Sequence, residues 1–314
     1  MWVCADGMFG GYVSSGDIFM GEPLRITATD GYGLVGTLFG RDQRGPVVVI
    51  NGATGVRQRY YAHFAQWLVE LGATVVTYDY RGIGASRPHR LKGFQGRMRD
   101  WGEHDFEGVL RWVKQSFAGR EVVVVGHSVG GQLIGMAASN GDIARVLTVA
   151  SQVGSWRLWP GASKWAFAGL WYGLMPGLTR VMGYFPGQLG IGADLPREVA
   201  LEWASWCRHD DYFLGHGIAR EGYERVRVPM LSLSFGDDGY APKAAVDQLH
   251  SIYSRAQVER VHLTEKAVGH FGFFREKFAS SLWPLVEEFL RGQGAESISS
   301  RTTRRAPHAH AGTL

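Results

Sequence analysis

The chain has 314 residues, of which 45% are apolar and 20% charged, a composition that can bury a sizeable core and excludes a disordered chain. The formal net charge is +4, and it is +2 once the segment from Gly292 onward is set aside, so nothing indicates nucleic acid as a partner. No run approaches the ~20 continuous apolar residues of a membrane-spanning helix, and no stable membrane insertion is expected.

The two cysteines lie far apart in the chain and match no metal-binding or redox spacing. Cys4 and Cys207 are therefore predicted to be free thiols in a reducing compartment. The N-terminus has no basic segment followed by a long apolar one, which argues against a secretory signal and favours a cytoplasmic location. We expect an N-terminal extension over residues 1–20 and a disordered tail over residues 292–314.

The first structural pattern is a hairpin. Leu24 to Ala28 and Leu34 to Phe39 alternate apolar and polar residues around Asp30-Gly31-Tyr32-Gly33, which predicts an antiparallel pair at a sheet edge. Short apolar or β-branched runs follow, most of them separated by helical periodicity. They predict an α/β fold in which a mostly parallel, doubly wound sheet is covered by helices on both faces.

The predicted strands after the hairpin are Val47 to Ile50, Thr74 to Tyr78, Val122 to Val125, Val146 to Val149, Met230 to Phe235 and Val258 to Leu263. The predicted helices of the same region are Tyr60 to Leu71, Phe106 to Phe117, Gln132 to Ala138, Ala244 to Tyr253 and Leu282 to Leu290. This core is expected to occupy residues 21–150 and 226–291.

The sequence from 122 to 131, VVVVGHSVGG, predicts a nucleophile elbow. Val122 to Val125 form a buried strand, and the serine Ser128 follows it in a sharp turn before a helix. Side chains at the two flanking positions would collide with neighbouring backbone, and both Gly126 and Gly130 lack one. In a chain with 44 glycines the pattern G-x-S-x-G is weak by itself, and the strand before it makes the functional interpretation the favoured one.

About eighty residues between the strands that end near Ala150 and begin near Met230 are dense in Trp, Gly and Pro. A structureless loop of that length is improbable, so we expect helices at Leu170 to Met182 and Glu198 to Cys207. They are predicted to form a cap, or lid, over residues 151–225. The residues predicted to line a substrate pocket are His127, Trp156, Trp203 and Phe271.

Candidate partners for the serine follow the last two strands. Asp237 and Asp238 lie in a turn after Met230 to Phe235, and His270 lies between glycine and aromatic residues after Val258 to Leu263. A histidine oriented by a carboxylate can deprotonate a serine hydroxyl, so Ser128, His270 and one of the two aspartates are the candidate catalytic residues.

An acyl-transfer site also needs two backbone amides that bind an oxyanion. Val129, directly after the nucleophile, supplies one. The second is expected in Asn51-Gly52-Ala53-Thr54-Gly55 after an early strand, with Ala53 as the first choice and Thr54 as the alternative.

Five segments carry a family resemblance: Asn51 to Gly55, Tyr78 to Ser86, Gly126 to Gly130, Asp237-Asp238 and Gly269 to Phe271. They resemble the α/β-hydrolase superfamily, and most closely its poorly characterised bacterial group of predicted α/β hydrolases. The resemblance spans about residues 24 to 291 and implies an α/β-hydrolase fold with a Ser-His-Asp mechanism. It also favours Asp238 over Asp237, because the family's acid commonly lies four residues before a proline, as Asp238 does before Pro242. The chain departs from the family pattern at Asn51, where histidine is usual.

These features predict a serine hydrolase that cleaves a carboxylic ester or thioester, with a hydrophobic acyl group as its small-molecule substrate. No metal or organic cofactor is required. Two alternatives stay open, an acyltransferase that uses the same acyl-enzyme and a hydrolase-like protein that binds a ligand without turnover. The sequence leaves the acyl group and the oligomeric state open.

Overall fold

The computed structural model describes residues 21–190, 192–264 and 267–292. The predictions for residues 1–20 and 293–314, and for Cys4, lie outside the described residues. Cys207 is a buried free thiol. Among the described residues, no helix has the length and apolar character that crossing a membrane requires.

Eight strands form one sheet, and two short strands form a separate hairpin. The strands are β1 Glu22–Thr27, β2 Gly33–Phe39, β3 Val47–Asn51, β4 Thr74–Tyr78, β5 Val122–His127, β6 Ile143–Val149, β7 Tyr184–Phe185, β8 Leu195–Pro196, β9 Pro229–Phe235 and β10 Gln257–Leu263. The large sheet has the order β1-β2-β4-β3-β5-β6-β9-β10. Only β1 with β2 and β2 with β4 pair antiparallel within it, so the predicted edge hairpin and the mostly parallel sheet are confirmed.

The central strands are buried on both faces, as their continuous apolar runs predict. In β5, Val122 and Val124 pack into the core on one face of the sheet, while Val123 and Val125 pack into the core on the other. The side chains of neighbouring strand residues point to opposite faces, so a strand in the middle of a covered sheet needs apolar residues at every position.

Helices cover the sheet and fill the long interval between β6 and β9. They are α1 Ala62–Glu70, α2 Glu107–Ser116, α3 Val129–Leu133, α4 Ser163–Gly169, α5 Met175–Met182, α6 Arg197–Arg208, α7 Arg220–Glu224, α8 Lys243–Ile252, α9 Ala279–Leu282 and α10 Pro284–Arg291. The helix predicted over Gln132 to Ala138 lies earlier in the structure. It begins at Val129, and a 3₁₀ turn ends the segment at Met136. The helix begins earlier because it starts directly at the turn that holds Ser128.

We call residues 151–225 the insertion. The predicted helices over Leu170 to Met182 and Glu198 to Cys207 are confirmed. In the first region, α4 and α5 are joined by a π-helical turn, Leu170–Leu174, into one helical stretch from 163 to 182. Gly183, with φ of 80°, ends this stretch in a left-handed conformation that favours glycine.

Candidate active site

Ser128 occupies a strained turn between β5 and α3. Its φ of 54° and ψ of −118° are unusual for a residue with a side chain. The turn is held by its own amide, which donates to the carbonyl oxygen of Val149 on β6 at 3.0 Å. A Cβ on Gly126 would lie 2.6 Å from the Cα of Gly131, and one on Gly130 would overlap the carbonyl oxygen of Asn51. The backbone therefore excludes larger residues on both sides of Ser128, and it fixes where the hydroxyl is presented.

The structure brings His270 and Asp238 together. His270 Nδ1 lies 2.8 Å from Asp238 Oδ2, and both side chains are buried. The other oxygen of Asp238 accepts hydrogen bonds from the amides of Tyr240 at 2.8 Å and Ala241 at 2.9 Å. These amides hold the carboxylate in one orientation, so it presents Oδ2 to the histidine.

The neighbouring aspartate has a different partner. Asp237 Oδ1 accepts a hydrogen bond from the amide of Gly269 at 2.9 Å, one residue before His270. Gly269 has φ of 63°, a conformation that favours glycine. Asp237 thus anchors the backbone of the histidine loop, whereas Asp238 contacts the histidine side chain.

The prediction that Ala53 supplies an oxyanion amide is wrong in this structure. The amide of Ala53 donates instead to the hydroxyl oxygen of Tyr61 at 2.8 Å, so it is already used. Ala53, the alternative choice Thr54, and Val129 all line the same cavity as Ser128, so only the hydrogen bond to Tyr61 distinguishes Ala53. Thr54 and Val129 are the two residues whose amides remain candidates for binding an oxyanion.

His127 is the centre of a hydrogen-bond chain that sequence reasoning missed. Its Nε2 lies 2.9 Å from the backbone oxygen of His270, and its Nδ1 lies 2.9 Å from the hydroxyl of Tyr61. A carbonyl oxygen can only accept, so Nε2 carries the proton, and Nδ1 accepts from Tyr61. Because Tyr61 also accepts from Ala53, the chain links the loop after β3 to the backbone of His270.

Burial fixes the charge of His127. The ring is fully buried, and this desolvation holds its pKa well below the usual histidine value, an effect to which nearby His270 adds. A neutral ring with one N–H is the form that the chain to Tyr61 and His270 requires. Tyr61 lies 66 positions from His127 in the sequence, and no local pattern marks the pair.

A cavity lies between the carboxyl ends of the strands and the insertion. Ser128, His270 and Phe271 line it from the core, and Trp203 lines it from the insertion. The other apolar residues of its wall are Trp159, Phe167, Leu170 and Trp171. Polar side chains enter the wall at Gln132, Gln152, Tyr212 and Tyr240. The cavity therefore has a mostly apolar wall that includes Ser128 and His270.

Two of the four predicted pocket residues, His127 and Trp156, do not line this cavity. His127 points away because its ring nitrogens bond to Tyr61 and His270. Trp156 packs against Trp165, with ring centroids 5.3 Å apart, and Arg157 lies over its ring. The spacing of aromatic residues in the sequence does not show which side of a short turn faces the cavity. The prediction for Trp156 was wrong for this reason.

One group among the described residues has the proximity of a metal site. Single ligand atoms of Asp100, Glu103 and His104 lie within 4.8 Å of one another. Arg81 Nη1 lies 3.9 Å from the Asp100 carboxylate, and Arg97 lies 3.6 Å from it, so cations already neutralise this residue. None of the three residues lines the cavity that Ser128 lines.

The chain is similar to known proteins in both sequence and structure. The sequence model of the alpha/beta hydrolase family matches residues 47–279. The polyketide transferase GrgF of a Penicillium species is 29% identical over 136 residues, 42% of this chain and 45% of that protein, so less than half of this relative is matched.

Solved structures align over most of the chain. The crystal structure of the alpha/beta hydrolase GrgF from Penicillium sp. sh18 aligns with a TM-score of 0.58 and 20% identity, over 88% of this chain and 99% of that one. An esterase from Exiguobacterium antarcticum aligns with a TM-score of 0.57 and 16% identity, over 86% of this chain and 100% of that one. At these identities the likeness concerns the fold.

Proposed function

The chain belongs to the alpha/beta hydrolase family, and on that premise we propose that it is a serine enzyme that cleaves a carboxylic ester or thioester through an acyl-enzyme. The observation that carries the proposal is the placement of three groups. Ser128 lies in a strained turn, His270 lines the same cavity, and the Asp238 carboxylate is bonded to that histidine at 2.8 Å.

In the proposed mechanism, Asp238 accepts a hydrogen bond from Nδ1 of His270, which leaves Nε2 as the base that removes the Ser128 proton. The serine oxygen attacks the acyl carbon, and the carbonyl oxygen becomes an oxyanion. His270 then returns the proton to the departing alcohol or thiol, and water attacks the acyl-enzyme by the same route in reverse.

The oxyanion is assigned to the amides of Val129 and Thr54. Each such donor contributes roughly 3 kcal/mol to lowering the barrier in enzymes of this chemistry. The Ala53 amide acts one step further away, because its bond to Tyr61 fixes the loop that presents Thr54. Tyr61 and His127 are positioning residues in this scheme and do not touch the substrate.

The acyl group is proposed to be hydrophobic. Trp159, Trp171 and Trp203 of the insertion line the cavity together with Phe271 of the core. Burial of an apolar chain against such walls contributes roughly 25 cal/mol per Å² of apolar surface. On this basis the insertion is the cap, and it selects the acyl chain while the core carries the chemistry.

A second function is favoured by a specific similarity. The relative that is 29% identical over 136 residues is named a polyketide transferase. Transfer of the acyl group to an alcohol or amine uses the same acyl-enzyme and the same triad, and differs only in the acceptor. The two functions separate when the acyl-enzyme forms in the presence of added alcohols, because a transferase yields a new ester in place of the free acid.

A fluorophosphonate probe tests the proposed nucleophile. The wild-type chain is expected to gain the probe mass on the peptide that contains residue 128, and Ser128→Ala is expected to lose it. Ser155→Ala is the matched control, because Ser155 is a buried serine that does not line the cavity. Labelling that persists in Ser128→Ala, or a folded wild-type chain that takes up no probe, contradicts the proposal.

A further inference from the structure

The large exposed apolar side chains of the described surface are confined to one region. Five of them lie on the helical stretch from 163 to 182: Trp165, Tyr172, Leu174, Val181 and Met182. Val181 is 86% exposed, Trp165 63% and Tyr172 56%. The other two are Leu189, next to the cavity-lining Gly190, and Tyr240, which itself lines the cavity. Scattered apolar residues are normal on a surface, but a cluster of this kind marks an interaction site.

The helical stretch is apolar on both of its sides. No charged residue lies between Lys164 and Arg180. The inward side of the stretch contributes Phe167, Leu170 and Trp171 to the cavity. A helix that is apolar all round is normally covered all round, so the outward side lacks a cover in the isolated chain. We call this outward side, with Trp165, Tyr172, Leu174, Val181, Met182 and the flanking Lys164 and Arg180, the outer face.

The segment that carries the outer face has charges of one sign. From Trp156 to Ala193 the chain has three cations, Arg157, Lys164 and Arg180, and no Asp or Glu. Arg157 pairs with Asp210 at 2.6 Å, so Lys164 and Arg180 are the cations that the argument uses. In a symmetric dimer built on this face the same patch meets itself, so Lys164 and Arg180 would approach their own copies. An anionic partner removes that repulsion, and the charge therefore disfavours a second copy of this chain.

We propose that the outer face adsorbs to an anionic lipid surface. Exposed Trp and Tyr, aliphatic side chains and flanking cations are the groups that place a helix in the interface of an anionic bilayer, lying in its plane without crossing it. A protein partner is less suited, because protein interfaces contain hydrogen bonds and this face offers few polar groups. Between residues 165 and 179 the side chain of Thr179 is buried, so only the Tyr172 hydroxyl and the Trp165 indole present polar groups outward. Lipid chains require no hydrogen bonds from this face.

The position of the face has a consequence for the cavity. The same helical stretch lines the cavity with its inward residues, the exposed Tyr240 lines it as well, and the exposed Leu189 is adjacent in sequence to the cavity-lining Gly190. Adsorption through the outer face therefore brings the cavity close to the lipid phase, where hydrophobic esters partition. The adsorption itself does not depend on catalysis, and it goes beyond the proposed function.

Vesicle flotation tests the proposal in a full-length Ser128→Ala background, in which hydrolysis does not alter the lipids. We expect binding to phosphatidylcholine vesicles that contain about a third phosphatidylglycerol, and much weaker binding to phosphatidylcholine alone. Lys164→Glu with Arg180→Glu, and separately Tyr172→Asp with Val181→Asp, are each expected to weaken binding about tenfold or more. None of these four residues lines the cavity, so activity of the same pairs on a small soluble ester, in the Ser128 background, is expected to stay unchanged.

Two sets of variants guard against a charge effect that has another origin. Arg25→Glu with Arg255→Glu makes the same change in net charge at exposed positions outside the insertion, and it is expected to bind like the parent chain. Arg301, Arg304 and Arg305 are changed together to Gln to measure what the C-terminal segment contributes. The proposal is overturned if the parent chain does not float with anionic vesicles, or if the outer-face pairs bind like the parent. It is also overturned if the outer-face pairs instead dissociate a dimer.

Discussion

The sheet core and the insertion differ in how completely the buried polar atoms of their side chains are hydrogen-bonded. Six buried side-chain polar atoms have no hydrogen-bond partner in the described part of the chain. Five of them belong to the insertion, on Gln152, Trp156, Trp171, Thr179 and Trp206, and only Arg145 belongs to the core. The insertion also carries six of the seven large exposed apolar side chains.

The two regions also differ in how tightly their side chains are held in position. In the core, steric exclusion at Gly126 and Gly130 fixes the turn of Ser128, and the hydrogen bonds of Asp238 hold it against His270. In the insertion, the cavity wall is formed by aromatic rings that contact one another, Trp159 with Phe167 and Trp171 with Trp203. Reacting groups must be held to within fractions of an ångström, whereas an apolar wall tolerates adjustment to its ligand.

The largest effect is expected from the two adjacent aspartates in the core. Asp238→Asn removes the charge that orients and stabilises His270, and kcat is expected to fall about 10⁴-fold. Asp237→Asn is the matched control: its bond is to the Gly269 amide, which an asparagine oxygen can still accept, so kcat is expected to stay within about tenfold. Steady-state kinetics on a soluble ester measure kcat for both variants. A larger loss of kcat in Asp237→Asn than in Asp238→Asn would make Asp237 the acid of the triad.

Glycine substitutions compare the two regions in stability. Gly130→Ala is expected to cost several kcal/mol, roughly 3 or more, because its Cβ overlaps the Asn51 carbonyl oxygen. In the insertion, Gly177 lies within α5 and a Cβ there meets nothing within 4 Å. Gly177→Ala is therefore expected to stabilise by up to about 1 kcal/mol. Urea unfolding measures both, and equal losses at the two sites would remove the contrast.

A buried histidine of the core makes stability depend on pH. Burial lowers the pKa of His250 from 6.5 to about 4, and its ring bonds Thr148 and the Val246 carbonyl, each at 2.7 Å. As the pH falls, His250 binds a proton in the unfolded chain before it does so in the folded chain. Its contribution to the free energy of unfolding is therefore complete above pH 6.5 and is lost as the pH falls toward 4. Between pH 7.5 and 4.5 the wild-type chain is expected to lose about 2 to 3 kcal/mol more than His250→Gln.

Unfolding curves at the two pH values test this difference. The lowered pKa of His127 and the raised pKa of Asp105, which burial brings to about 6, act in both proteins and cancel in the comparison. Parallel losses in wild type and variant would show that His250 does not titrate between the folded and unfolded states.

The smallest effect is expected from the hydrogen-bond chain that joins the loop after β3 to the backbone of His270. Tyr61→Phe leaves His127 Nδ1 and the Ala53 amide without their partner, and kcat is expected to fall about tenfold with KM nearly unchanged. Tyr223→Phe is the control, because its buried hydroxyl donates to the Gln132 carbonyl at 2.8 Å and is not part of the chain. If both variants lose stability equally and neither changes kcat, the chain is structural only.

Local sequence carried the predictions that were confirmed. Runs such as Val122 to Val125 predict buried strands because a strand that is covered on both faces needs apolar residues at every position. The segment from Leu24 to Phe39 predicts a hairpin because its alternation of apolar and polar residues leaves one face polar. The position of Ser128 follows from the strand, turn and helix around it. These are properties of neighbouring residues, and the sequence displays them directly.

Contacts between distant segments decided the rest. Asp237 and Asp238 are adjacent in sequence, and only the path of the loop that carries His270 shows which carboxylate meets its ring. The Ala53 amide was excluded by Tyr61, and the ring of His127 was turned inward by Tyr61 and His270 together. Sequence by itself therefore determined the fold and the turn that holds Ser128, while tertiary structure decided the partners of each polar group, because a hydrogen bond depends on distance and direction in space and not on separation along the chain.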